Sequence, residues 1–370
     1  MGERPLRIVQ VATPWFGLPP TGYGGIEWVC ADLVDGLVER GHEVTVVGVG
    51  TNGTRGRFVV TLPEPAGSRV GTVFPEVLHA ARADAVIARL RPDVVHDHST
   101  AGPLQARQRS APTVVTAHGP VAGEIGDYYA ELDRAAHLVA ISDAQCRHAP
   151  QLHWAGRVHN GIRTARFPYR ERKEDFVLYL GRFSEEKGVH HAIDAARAVR
   201  RPIVLAGDCT SAEDREYFDA EVVPRMQPDV RWVGEAEFAT KVDLLSRARC
   251  LLFPIGWEEP FGMVMIEAMA CGTPVVALCR GSVPEVVVDG VTGYVRDEPS
   301  ELAAAIESVG RLSPAACRAR VRERFDVDSM AAGYEAVYRR VIAEAADTKR
   351  DRAGAQRRSP LAPFGDGADG

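Results

Sequence analysis

Residues 181–188 read GRFSEEKG and carry two cations, Arg182 and Lys187, between bracketing glycines. The segment follows the apolar run Phe176-Val177-Leu178-Tyr179-Leu180, which reads as a buried strand. It precedes a stretch from about 189 to 199 that reads as a helix. A helix start offers free backbone N–H groups and the positive end of the helix dipole. A guanidinium and an ammonium added there suit a diphosphate. The plainer alternative is a solvated loop in which Glu185 and Glu186 pair with the two cations.

Three further stretches hold residue types fit for the same chemistry. PPTGYGGIE, 19–27, follows the first strand; Gly24 and Gly25 could bring backbone N–H groups onto a phosphate. A G-x-G-x-x-G dinucleotide fingerprint would need glycine at 27, where Glu27 stands, so a nicotinamide enzyme is disfavoured. WEEPFGMVMIEAMACGTPVVA, 257–277, places Glu259 before Pro260-Phe261-Gly262 at a helix start, and Glu267 inside that helix among apolar residues. A carboxylate in such surroundings needs donors. TAHG, 116–119, puts His118 just past a strand, where a core histidine is the plain alternative to a functional one. VVHDHS, 94–99, is rich in His and Asp. For Asp97 and His98 an acceptor contact, ordinary loop hydrogen bonding and a metal are the three readings.

These clusters need strands and helices to hold them. The strand-like runs are 6–12, 44–49, 93–96, 113–116 and 137–141, then 176–180, 203–206, 230–233, 250–253 and 275–278, with helix-like runs between them. Short apolar strands alternating with helices imply parallel sheets covered on both faces. The charged segment 163–175 separates the two series. We therefore expect an α/β protein of two doubly wound domains, 1–167 and 168–327, followed by a helix over 328–348 that crosses back to the first domain. Residues 349–370, charged and rich in Gly and Pro, read as a disordered tail. Ser282-Val283-Pro284-Glu285 fits a local capping box, and Ser313-Pro314 an N-cap with proline at the first helical position.

Composition excludes several classes. The 370 residues carry a net charge of −6, which gives no sign of nucleic-acid binding. No apolar run approaches the roughly 18 residues of a membrane span, and the first residues do not read as a signal peptide. Seven cysteines without a C-x-x-C pair argue against a disulfide framework and for a reduced, cytoplasmic setting.

With these motifs together, the chain resembles the family 4 retaining glycosyltransferases over most of residues 6–345. GRFSEEKG, the Glu259–Glu267 segment with EAMACGTPVV, and GSVPEVVVDGVTGYV at 281–295 carry the resemblance. It implies the GT-B fold, two facing Rossmann-like domains with the active site in the cleft between. It implies transfer of a hexose-type sugar from a nucleotide-diphosphate sugar to a hydroxyl acceptor, read here as a small molecule. Arg182 and Lys187 would hold the diphosphate and Gly24-Gly25 would close over it. His118 would lie beside the moving sugar and Glu259 would contact its hydroxyls. Glu267 would hold the ribose, and Phe261 and Gly262 would complete the donor site. Asp97 and His98 would border the acceptor. No metal or other cofactor is expected, because the fixed cations can neutralise the diphosphate and no suitably placed D-x-D pair is present. The family's frequent acid after the Asn-Gly pair is Arg163 here. A nucleotide-sugar epimerase of the same fold and a non-catalytic nucleotide-sugar sensor are the competing readings.

Overall fold

A computed structural model of the chain describes residues 4–22, 24–132 and 134–358. Among the described residues, thirteen strands form two sheets. β1 (Arg7–Val11), β2 (Glu43–Val49), β3 (Arg57–Leu62), β4 (Val94–Asp97), β5 (Thr113–Ala117), β6 (His137–Ala140) and β7 (Trp154–Arg157) make the first, in the order β3-β2-β1-β4-β5-β6-β7. β8 (Val177–Leu180), β9 (Ile203–Ala206), β10 (Val230–Trp232), β11 (Cys250–Phe253), β12 (Val275–Leu278) and β13 (Gly293–Arg296) make the second, in the order β10-β9-β8-β11-β12-β13. Every pairing is parallel.

The first domain's helices are α1 (Gly25–Glu39), α2 (Val73–Leu90), α3 (Gly123–Glu131) and α4 (Asp143–His148). Those of the second are α5 (Val189–Ala198), α6 (Ala212–Tyr217), α7 (Phe238–Arg247), α8 (Met263–Ala270), α9 (Val283–Val286), α10 (Leu302–Ser308) and α11 (Pro314–Arg324). Ser313 caps α11, accepting from Ala316 N. The last described element is the 32-residue α12 (Val327–Arg358).

Strand alternation decides which helices cover which face. Ile8, Val44, Val46, Val94 and Val114 of the first sheet face α1 and α12, whereas Val9, Val11, Val47 and Val95 face Ala83, Val86 and Ile87 of α2. In the second sheet Leu178, Leu251 and Val275 pack on α7, α8 and α11, and Val177, Ile203 and Leu252 pack on α5 and α10. In both sheets the order reverses beside the first strand, between β1 and β4 and between β8 and β11. Ligands of doubly wound sheets bind outside the carboxyl ends of strands at such points.

α12 packs on α1 of the first domain, burying Met330, Ala331, Tyr334, Val337, Tyr338 and Val341 against Val29, Leu33 and Leu37. Two of its hydroxyls enter a buried polar chain. Tyr338 Oη lies 2.7 Å from His96 Nδ1, His96 Nε2 lies 2.8 Å from Thr116 Oγ1, and Thr116 Oγ1 lies 2.7 Å from Tyr334 Oη. Burial holds the His96 imidazole well below its ordinary pKa. The helix continues to Arg358, so residues 349–358, expected as disordered tail, extend it. Lys, Arg, Ala and Gln in that stretch favour helix once a turn precedes them. Residues 359–370 lie outside the described residues. Three strands, β3, β7 and β13, were not anticipated, and each is a sheet edge.

Tyr338→Phe leaves His96 Nδ1 without its buried partner. Denaturant unfolding should register a loss of about 1–3 kcal/mol. A change under about 0.5 kcal/mol, the scatter of neutral surface substitutions, would show that the bond carries no stability.

Candidate active site

The loop after β8 is pinned before it reaches α5. Gly188, at φ +68°, ends its single 3₁₀ turn, and a Cβ there would lie 2.2 Å from Pro254 O at the end of β11. No other residue allows both the left-handed backbone and that approach. Gly256 N donates to Glu186 O at 2.7 Å, closing the two loops onto each other. Lys187 is thereby carried to Glu259: Nζ lies 2.5 Å from Oε2 and 4.7 Å from the centre of the Trp257 ring. Trp257 Nε1 donates to the same oxygen at 3.1 Å. Arg182 pairs with Glu186, and its Nη1 lies 3.8 Å from Asp214. The plainer reading of the loop thus describes Arg182, whereas Lys187 turns to Glu259.

Glu267 lies on α8, and its donor is Lys241 Nζ of α7 at 2.7 Å, in a pair with both side chains largely buried. Gly262, at φ +74°, immediately precedes α8. Phe261, expected to complete the donor site, offers the cleft no more than its backbone. Its side chain is buried in the second domain's core, with ring centroids 5.9 Å from both His159 and Phe325, and only its carbonyl is engaged, by Ser282 Oγ at 2.8 Å.

On the first domain, Gly24 precedes α1 at φ +140°, and a Cβ there would sit 2.9 Å from Glu27 Oε2 and from Pro20. Glu27 folds back to accept from the Thr13 hydroxyl at the end of β1, and burial pushes its carboxyl up. Gly25 is exposed, with nothing within 4 Å of a Cβ built on it. His118 follows β5, and its Nε2 lies 2.8 Å from His98 Nδ1. Burial lowers the His118 pKa to about 4 and holds His98 well below the ordinary value, so the pair is two neutral imidazoles sharing one N–H. Asp97 does not border the acceptor side. It points to the opposite face of β4, fully buried, 3.0 Å from Arg109 Nη1 and accepting from Ser99 N and Oγ at 3.1 and 2.7 Å.

The carboxyl ends of the two sheets meet. Glu285 of α9 accepts from Asp143 N at 2.7 Å and Ala144 N at 2.6 Å, the first turn of α4. His159 Nε2 lies 3.1 Å from the same carboxylate. The capping box expected at 282–285 is therefore not formed: Ser282 Oγ donates to Phe261 O, and the glutamate caps a helix of the other domain. Burial would raise the Glu285 carboxyl, but the bonds from His159, Asp143 N and Ala144 N prevail and hold it below the ordinary range. His148 and Glu258 lie 3.5 Å apart across the same seam. Trp28 of α1 stacks on Phe238 of α7 at 5.2 Å, with Arg166 over the Trp28 ring and 2.6 Å from Asp32.

Sequence reasoning missed Trp257, Lys241 and Glu285 in these roles. An aromatic two residues before Glu259 was a visible hint; Lys241 had none, because its helix carries several charges.

Two parallel doubly wound sheets whose carboxyl ends face one cleft define the class of GT-B proteins. The chain belongs to glycosyltransferase family 4. Residues 23–166 match the description Glycosyltransferase Family 4 and residues 162–324 match Glycosyl transferases group 1. The glycogen synthase of Mycobacterium tuberculosis is 32% identical over 396 residues, covering 90% of this chain and 94% of that protein. The crystal structure of AviGT4, a glycosyltransferase involved in avilamycin A biosynthesis, is 27% identical with a TM-score of 0.69, covering 92% of this chain and 98% of that one. The sucrose-phosphate synthase of Thermosynechococcus elongatus, 20% identical with a TM-score of 0.73, covers 91% and 99% and shares the fold. The protein is a glycosyltransferase.

Glu285→Gln keeps the shape of the clasp and removes its charge. The melting temperature at pH 7 should fall. A carboxyl held below its unfolded pKa adds stability above about pH 4 that is lost as pH drops through the folded value. The gap between parent and variant should therefore close on acidification. A gap that widens below about pH 4 would show that the sign is wrong.

Proposed function

We propose that the protein is a retaining glycosyltransferase that moves a hexose-type sugar from a nucleoside-diphosphate sugar to the hydroxyl of a small-molecule acceptor, without a metal cofactor. The observation that carries this is the placement of Arg182 and Lys187 at the carboxyl end of β8, beside the β8/β11 switch point, with Glu259 against Lys187. As the bond between the anomeric carbon and the diphosphate breaks, charge develops on the leaving group. Fixed cations aimed at it act most strongly in the transition state. Arg182 supplies a planar fork of donors and Lys187 a point charge. Backbone N–H groups of the Gly24-Gly25 turn complete the diphosphate cradle.

Glu259 holds hydroxyls of the moving sugar, and Gly262 lets the backbone approach the donor. Glu267, released in part from Lys241, accepts from the ribose. Neutral His118 donates to the sugar and to charge developing beside it. A donor phosphate oxygen takes the acceptor's proton, which suits entry of the acceptor on the leaving group's face. His98 positions His118. A cytoplasmic setting fits the seven free cysteines. Among the described residues no helix is long and apolar enough to cross a membrane.

The test is incubation with a panel of nucleotide sugars, following release of nucleoside diphosphate. Slow release accelerated by an acceptor supports transfer. Isomerised sugar would indicate an epimerase, and binding without turnover a sensor. Arg182→Ala and Lys187→Ala should each lower turnover by about 10²-fold or more, the scale of a lost transition-state donor. Near-normal turnover in both would remove the diphosphate assignment.

With His118 titrating at about 4, the imidazole stays neutral across the physiological range. Turnover should not fall with a midpoint near 6.5, the ordinary histidine value, but only as the pH approaches the His118 value. NMR titration of the His118 ring, assigned by His118→Gln, checks this; a ring that protonates near 6.5 would refute it.

A further inference from the structure

One convergence of side chains brings a residue the transfer chemistry does not use, Cys30, onto the His98–His118 pair. Cys30, in the middle of α1, is fully buried and its thiol is free. One donor atom each from Cys30, His98 and His118 lies within 4.8 Å of the other two. His98 is only 7% exposed, and its Nε2 is buried with no hydrogen-bond partner. When His98 Nδ1 donates to His118, that Nε2 presents an unshared lone pair inside the core. A buried polar atom without a partner is costly. The other convergence of acids with histidine, Asp143, His159 and Glu285, lacks this feature, because both Glu285 oxygens already accept backbone N–H groups.

We propose that Cys30, His98 and His118 form a binding site for a thiophilic divalent cation, with Zn²⁺ as the ion whose chemistry fits. Two imidazoles and a thiolate are a borderline-soft donor set that favours Zn²⁺, and Co²⁺ as its spectroscopic substitute, over Mg²⁺ or Ca²⁺. Zn–S and Zn–N bonds of about 2.3 and 2.0 Å put ligand atoms roughly 3.5 Å apart in a tetrahedron. A pair of donors at the 4.8 Å limit would therefore have to draw together by about an ångström. His118, half-buried just past the end of β5 and followed by Gly119, is the least enclosed of the three. On binding, the Cys30 thiol gives its proton to solvent and the His98–His118 hydrogen bond breaks. Both imidazoles stay neutral, and one position is left for water. Asp97 takes no part, being held by Arg109 on the other face of β4.

The consequence is inhibition: an ion that holds His118 withdraws it from the sugar. Binding itself does not depend on the proposed function; only this consequence does.

The test uses the full chain, freed of metal with a chelator. Titration with Co²⁺ should produce a thiolate-to-cobalt charge-transfer band that saturates at one ion per chain and is abolished by one equivalent of Zn²⁺. Cys30→Val should lose the band while melting in metal-free buffer near the parent temperature, and Cys30→Ser should lose it as well. Zn²⁺ should suppress parent turnover and leave Cys30→Val turnover unchanged. No charge-transfer band in the parent, or an undiminished band in both variants, would overturn the site. A Cys30-dependent band with turnover unaffected by Zn²⁺ would uphold the site and remove His118 from the transfer step.

Discussion

The carboxylate of Glu285 is where two separate sheets become one site. Its oxygens accept from backbone N–H groups of the α4 first turn, so the bond depends on the path of that turn more than on its side chains. The position it fixes is passed along a short chain of contacts. α9 has four residues and follows Gly281-Ser282 directly; Ser282 N donates to Glu259 O at 3.0 Å, and Gly281 N donates to Glu258 at 2.6 Å. Glu259 in turn meets Lys187. The clasp that sets the domains together therefore also sets the carboxylate and cation facing the cleft.

The two walls of the cleft differ electrically. The second domain supplies Arg182 and Lys187, each beside a carboxylate. The first supplies neutral imidazoles and backbone. A carboxylate beside a cation holds it in place and shares its charge. An anion arriving with more charge than one carboxylate can compete for the same cations. The uncharged wall suits hydroxyls. This division matches a ligand with one strongly anionic half and one neutral half.

Much of the fold was legible because buried central strands must be apolar on both faces, and apolar runs are easy to see. The three strands not anticipated, Arg57–Leu62, Trp154–Arg157 and Gly293–Arg296, are all at sheet edges, where one side is half-solvated and the apolar signal weakens. In the site, residue type and position at a strand end marked Arg182, Lys187 and His118 as candidates. Type does not give direction: His96 and Asp97 are neighbours on β4 and point to opposite faces, one to α12 and the other to Arg109. Spacing does not give partners either. Ser282 and Glu285 have the separation of a local capping box, but a longer-range acceptor role for the glutamate prevails because the α4 N–H groups would otherwise lie at the seam without partners.

α12 completes the first domain with residues made after the whole of the second. During synthesis the first sheet emerges early, but one of its faces stays open until residues Met330 to Val341 leave the ribosome. Until then His96 and Thr116 are without Tyr338 and Tyr334, and an apolar face of α1 is bare. The second domain can close its own core in that interval. The domain made first is thus finished after the second, and the nascent chain carries an exposed apolar face until α12 arrives.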